Sequence, residues 1–177
     1  DLRSVDHLNP HLATAKGYAV LMPSMYLPTA SDAVNPMTDL HEQLIRAAEN
    51  AVKAGYADPE RWAINGQSYG GYGTNSVVTQ TDRFKAAVAV VGPSNLTSMY
   101  ANGLHGALEL SEKAGFGAQW AEGGQGRMGT TPWENPMRYV VNSPLFHADR
   151  IHTPLMLIHG DADRAVPVGE SEQLFNA

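Results

Sequence analysis

The chain is 177 residues long, 43% hydrophobic and 17% charged, which is enough for one globular domain with a sizeable core. A net charge of −6 without a basic stripe excludes a nucleic-acid partner, and no apolar run reaches the roughly 18 residues of a membrane-spanning helix. The absence of cysteine excludes a disulfide framework and a thiolate metal site but fixes no compartment, so a soluble protein, cytoplasmic or secreted, is expected.

From the N-terminus, residues 9–17 read as a short helix closed by Gly17. Tyr18, Ala19, Val20, Leu21 and Met22 are a continuous apolar run halted by Pro23, which predicts a strand covered on both faces. Residues 38–53 give the clearest helix, with Thr38 as its cap, Asp39 and Glu42 near the positive end, and Gly55 after the last turn. Leu40, Leu44, Ala48, Ala51 and Val52 fall on one face of that helix. A short strand at 61–65, a helix from about Tyr72, apolar strands at 84–91 and 154–159 and a last helix at 169–175 complete the pattern. Strands alternating with helices imply an α/β fold with a doubly wound, mostly parallel sheet, in a single domain over residues 1–177. Residues 92–153, rich in Gly, aromatic and polar residues, read as an insertion capping the carboxyl ends of the strands, where ligands bind in such sheets. The chain opens at Asp1 without a methionine and stops at Ala177 inside a helix, so both ends read as cuts through a larger protein.

Gly66-Gln67-Ser68-Tyr69-Gly70 is the most informative stretch. A bare G-x-S-x-G also occurs in ordinary surface turns; a strand before it and a helix after it give it catalytic meaning as the nucleophile elbow of an α/β-hydrolase. Ser68 would then sit on a strained turn with its hydroxyl clear of the sheet, and Gly66 and Gly70 would be required because a Cβ at either would collide with a neighbour. Backbone N–H groups at the start of the following helix can hold a developing oxyanion.

A serine nucleophile needs a base, and the base needs an acid to orient it; in α/β-hydrolases the acid lies in the loop after a later strand. That loop here is 159–167, in which Asp163, at the turn, is the first choice and Asp161 the reserve. None of the seven histidines follows Asp163. His159 lies at a strand end, where a satisfied structural imidazole is expected, and His105 in the insertion is a conceivable out-of-order base. The economical expectation places the base beyond Ala177, leaving the triad incomplete within these residues.

Several motifs together resemble the catalytic domain of prolyl oligopeptidase-family serine peptidases. They are Gly66-Gln67-Ser68-Tyr69-Gly70-Gly71-Tyr72, Thr81-Asp82-Arg83-Phe84, Pro132-Trp133-Glu134-Asn135-Pro136, Asn142-Ser143-Pro144-Leu145-Phe146 and Pro154-Leu155-Met156-Leu157-Ile158-His159-Gly160. The resemblance runs from about Gly17 to the end and includes Val166-Pro167 and Glu170-Ser171-Glu172. It implies Ser68 as nucleophile, Asp163 as triad acid and the Tyr69 N–H as one oxyanion donor. It also implies a second donor and a histidine outside the chain, and an N-terminal β-propeller in the full-length protein. Met99 and Tyr100 fall where the family builds part of its specificity pocket. Ala165 stands where dipeptidyl peptidases commonly carry Asn, which weakens that subtype.

The expected activity is a serine peptidase acting on a peptide substrate by acyl transfer, without cofactor or metal. A carboxylesterase on the same fold and a non-catalytic module are the alternatives. Residues 122–129 lack a preceding strand and a Lys-Ser/Thr ending, so they read as a flexible loop rather than a phosphate loop, with Arg127 a candidate for a peptide carboxylate. His147 and His152 have no matched partners for zinc, and Trp120 and Trp133 read as packing residues.

Overall fold

Three parallel strands, β1 (Trp62–Gln67), β2 (Phe84–Val90) and β3 (Leu155–Ile158), lie side by side in that order in the computed structural model, which describes residues 9–31, 35–102 and 115–177. His7 and His105 lie outside the described residues. In β1, Trp62, Ile64 and Gly66 are buried while Ala63, Asn65 and Gln67 are exposed, the period-two pattern of a strand with one face on the core. The β1–β2 register slips between the pairs Trp62–Phe84 and Ala63–Ala86, and the adjacent Lys85 and Ala86 are both exposed, as a bulge requires.

The helices α1 (Pro10–Ala15), α2 (Pro36–Lys53) and α3 (Tyr69–Val78) follow from their local sequence. Asn9 caps α1 by accepting from the His11 N–H at 3.0 Å, and Gly17 takes the left-handed φ of 86° beyond its end. α2 starts two residues earlier than its sequence suggests: Pro36 occupies the first turn, and the Asn35 N–H donates to Asp39 Oδ2 at 3.2 Å. The proline's fixed φ sets the start, so Thr38 lies inside the helix and does not cap it. Leu44, Ile45, Ala48 and Val52 of α2 pack with Val77 and Val78 of α3 on Trp62, Ile64, Phe84 and Ala87 of the sheet. The other sheet face carries exposed Met156 and Ile158.

The expected strand at 18–22 does not form. Those residues have no regular structure and belong to no sheet; Tyr18 is 67% and Met22 75% exposed. Apolar character alone does not make a strand, because its N–H and C=O groups need a neighbouring ladder.

Residues 92–153 contribute α4 (Leu96–Asn102), α5 (Phe116–Glu122), α6 (Pro136–Val141) and a 3-10 stretch at Pro144–Arg150. Met99, Trp120, Met128 and Tyr139 from this segment form a second core cluster with Leu40 of α2, Tyr72 of α3 and Val166. Buried hydrogen bonds tie it down: Tyr72 Oη donates to the Asn142 carbonyl at 2.9 Å, and the Arg138 guanidinium donates to the carbonyls of Met128, Ser31 and Arg127. Two expectations change here. Residues 122–129 fold back on α5, with the N–H groups of Gly126, Met128 and Gly129 donating to Trp120, Ala121 and Glu122 carbonyls and Met128 fully buried. Trp133 is 79% exposed and, among the described residues, its one aromatic contact is a T-shaped one with the Tyr100 ring at 5.4 Å. The chain ends in α7 (Gly169–Asn176). No helix among the described residues is long and apolar enough to cross a membrane.

Candidate active site

Ser68 is where β1 turns into α3. Its N–H donates to the Val90 carbonyl at 2.9 Å, extending the ladder one residue past β1, and its carbonyl accepts from the Tyr72 N–H at 3.0 Å, opening the helix. Held from both sides, it adopts φ 56° and ψ −116°, a conformation costing a non-glycine residue about 1–3 kcal/mol. The residue is exposed, and its hydroxyl makes no hydrogen bond among the described residues. Tyr69 is the first residue of α3, so its N–H belongs to the first-turn donors that lack an intrahelical partner and lie at the positive end of the helix.

The glycines at the elbow differ from expectation in one respect. A Cβ on Gly66 would lie 2.2 Å from the Gly70 carbonyl oxygen, so that position tolerates nothing larger. A Cβ on Gly70 would meet nothing within 4 Å; Gly66 needs only the Gly70 backbone to be there. The second sterically required glycine is Gly71, whose added Cβ would lie 2.7 Å from Gly92 Cα and 2.8 Å from the Val90 carbonyl oxygen. This close approach brings α3 against the end of β2, where Val91 itself has φ 46°.

Asp163 lies in the loop after β3, and β3 is separated from β1 by β2 alone. Its Oδ1 accepts from the N–H groups of Ala165 at 2.8 Å and Val166 at 2.9 Å, and its own N–H donates to the Gly160 carbonyl at 3.2 Å. Asp161 is exposed with no such tether, whereas the Asp163 side chain is 21% exposed. His159 supports the loop from beneath: its ring, 3% exposed, meets the Val166 carbonyl through Nε2 at 2.9 Å and Ser171 Oγ through Nδ1 at 2.7 Å. Because a carbonyl only accepts, Nε2 carries a proton, and Nδ1 is engaged by the Ser171 hydroxyl, so neither nitrogen is free to serve Ser68. His159 Nε2 stands 4.0 Å from Asp163 Oδ2.

Met99 and Tyr100 lie on α4. Met99 is 1% exposed and belongs to the core cluster, whereas Tyr100 is partly buried beside it and donates to Glu122 Oε1 at 2.7 Å. Tyr69 and Val166 pack on the same cluster, so the elbow, the loop of Asp163 and α4 converge there. Burial raises the Tyr69 phenol above the ordinary tyrosine range, against the pull of Arg127, whose guanidinium lies 5.2 Å from the ring centroid. Arg127 donates to the carbonyls of Pro28 at 3.1 Å and Gln125 at 2.6 Å.

Glu170 entered the sequence reading only as part of the Glu170-Ser171-Glu172 motif, without a role of its own, because a glutamate in a helix's first turn ordinarily favours the dipole from solvent. Here it is 1% exposed, and its carboxylate accepts from the N–H groups of Ser94 and Asn95 at 2.9 and 2.8 Å and from the Ser98 hydroxyl. No sequence pattern distinguishes it from Glu172 two positions on, which is exposed.

Comparison with known proteins identifies the family and the fold. Dipeptidyl aminopeptidase BIII of Pseudoxanthomonas mexicana is 36% identical over 140 residues, covering 78% of this chain and 19% of that protein. A solved puromycin-hydrolyzing peptidase of Mycobacterium tuberculosis superposes with a TM-score of 0.68 at 35% identity, covering 80% of this chain and 20% of the other. A Pyrococcus horikoshii acylaminoacyl peptidase does so with a TM-score of 0.65 at 31% identity, covering 80% and 21%. The chain thus spans about a fifth of the length of these relatives, and the likeness identifies the fold as that of an α/β-hydrolase domain. Residues 35–177, which contain the elbow, the loop of Asp163 and both core clusters, match the prolyl oligopeptidase family, and the chain belongs to it.

Proposed function

We propose that the protein containing this chain is a serine peptidase that hydrolyses peptide bonds of oligopeptides through an acyl-enzyme. The exposed, strained Ser68 between β1 and α3 carries the reading. Ser68 Oγ attacks the scissile carbonyl and gives its proton to an imidazole; the oxyanion is held in part by the Tyr69 N–H. The tetrahedral intermediate expels the amine, which takes that proton, and water then cleaves the acyl ester by the same route in reverse order. Asp163 orients the imidazole. Two strand spacings put the ends of β1 and β3 about 10 Å apart, a gap for a bridging ring and too wide for direct contact. His159 is committed to Val166 and Ser171, and the base is taken, as the resemblance to the family implies, to be a histidine outside residues 1–177. Relatives five times longer leave room for a substrate-screening N-terminal domain such as a β-propeller.

The test uses the whole protein. Ser68→Ala is expected to abolish labelling by a fluorophosphonate and to lower turnover of peptidyl amides by about 10⁴- to 10⁶-fold. Asp163→Asn is expected to lower it by about 10⁴-fold. Hydrolysis of short acyl esters alone would defeat the peptidase reading, and equal labelling of wild type and Ser68→Ala would defeat catalysis at this serine.

A further inference from the structure

Two adjacent side chains at the start of α7 reach two different loops. Glu170 turns toward the segment after β2, where its carboxylate takes the Ser94 and Asn95 N–H groups and the Ser98 hydroxyl, while its carbonyl accepts from Ser94 Oγ at 2.5 Å. Ser94 and Asn95 are 0% and 8% exposed, so their N–H groups have no water to fall back on. This segment leads directly into α4 and Tyr100. Ser171 turns the other way, to His159 Nδ1, and the opposite ring nitrogen of His159 holds the Val166 carbonyl at the close of the loop of Asp163.

We propose that Glu170 and Ser171 are paired positioning residues: Glu170 sets the loop after β2 and thereby Tyr100, which the resemblance to the family puts at the substrate pocket, and Ser171, acting through His159, sets the loop that presents Asp163. The inference rests on the peptidase reading above, with Asp163 as the triad acid and Tyr100 at the substrate. It explains why a carboxylate is buried here: three donors converge on it, and they need an acceptor rather than a charge. Glutamine meets the same need, since its carbonyl can accept both N–H groups and its amide can donate to Ser98 Oγ, whose hydrogen then turns to the Asn95 carbonyl 3.1 Å away.

The two halves separate kinetically in the whole protein. Glu170→Ala is expected to raise KM for a peptidyl amide by about tenfold with kcat nearly unchanged, because it disturbs binding more than chemistry. Ser171→Ala is expected to lower kcat by about tenfold with KM nearly unchanged, the signature of a base less well oriented in the transition state. Glu170→Gln should restore the wild-type KM. If Glu170→Ala does not fold, Ser98→Ala removes one bond to the carboxylate from the other side and should raise KM in the same sense. Glu170→Gln behaving like Glu170→Ala, an unchanged KM in Ser98→Ala, or equal effects of both positions on kcat and KM would overturn the proposal. Asp163→Asn measured alongside separates the causes. If it abolishes turnover while Ser171→Ala leaves kcat unchanged, the positioning role alone is wrong; if it leaves turnover intact, the triad reading fails and the Ser171 half with it.

Discussion

Ser68 keeps its strained backbone because a strand ladder and a helix start pull on its two sides, and the neighbouring glycines make that junction sterically feasible. Their roles are unequal, and the inequality is measurable. Gly71→Ala drives a methyl into the backbone of Val90 and Gly92 and is expected to cost roughly 1–3 kcal/mol or more, as overpacking does. Gly70→Ala points into open space within α3 and is expected to leave stability unchanged or raise it by up to about 1 kcal/mol. Thermal unfolding of the two variants checks this; equal losses would refute the assignment of the tight contact to Gly71. Glu170 makes a second prediction at this scale. Burial pushes its carboxyl above the ordinary glutamate range, outweighing the hydrogen bonds from Ser98, Asn95 and Ser94 and the nearby His159. A raised folded-state pKa means that the folded protein holds this proton more tightly than the unfolded chain. The group's stabilisation is therefore complete below the unfolded value of about 4.3 and is lost as pH rises through the folded value. Glu170→Gln, a permanent mimic of the protonated acid, should gain stability relative to wild type between about pH 4 and pH 8. Denaturant unfolding at the two pH values reads the difference, and a constant difference would contradict it.

At the scale of elements, α2 shows how a periodic face becomes a core. Leu44→Asp places a charge against the core cluster that contains Trp62 and Val77 and is expected to cost about 2–4 kcal/mol, whereas Arg46→Ala on the exposed face should stay within about 0.5 kcal/mol. Chemical denaturation of both separates packing from helix propensity. That helical spacing made α2 legible in the sequence, and short apolar runs made β1, β2 and β3 legible. The run Tyr18-Ala19-Val20-Leu21-Met22 was equally apolar yet forms no strand, since pairing depends on a neighbour that composition does not encode. Likewise the elbow could be read from Gly66 and Ser68. The choice of Gly71 over Gly70 could not, because it depends on how closely α3 approaches Gly92. Glu170 was opaque for the same reason: its partners Ser94, Asn95 and Ser98 are more than 70 positions away.

For the molecule as a whole, the decisive asymmetry lies between the two sheet faces. Parallel sheets are ordinarily covered on both faces, and here α2 and α3 cover one while Met156 is 59% and Ile158 39% exposed on the other. Leu21 at 49% and Met22 at 75% add to the exposed apolar surface. Surface of that kind drives association in water. Residues 1–177 prepared alone are therefore expected to bind a hydrophobic dye and to self-associate with rising concentration in analytical ultracentrifugation; a dye-silent monomer would refute this. The same preparation should turn over peptidyl amides no faster than the small residual that an oxyanion donor gives without a base. Turnover that persists in it and disappears in His105→Ala would put the base inside this chain and overturn the assignment of that role to a histidine elsewhere.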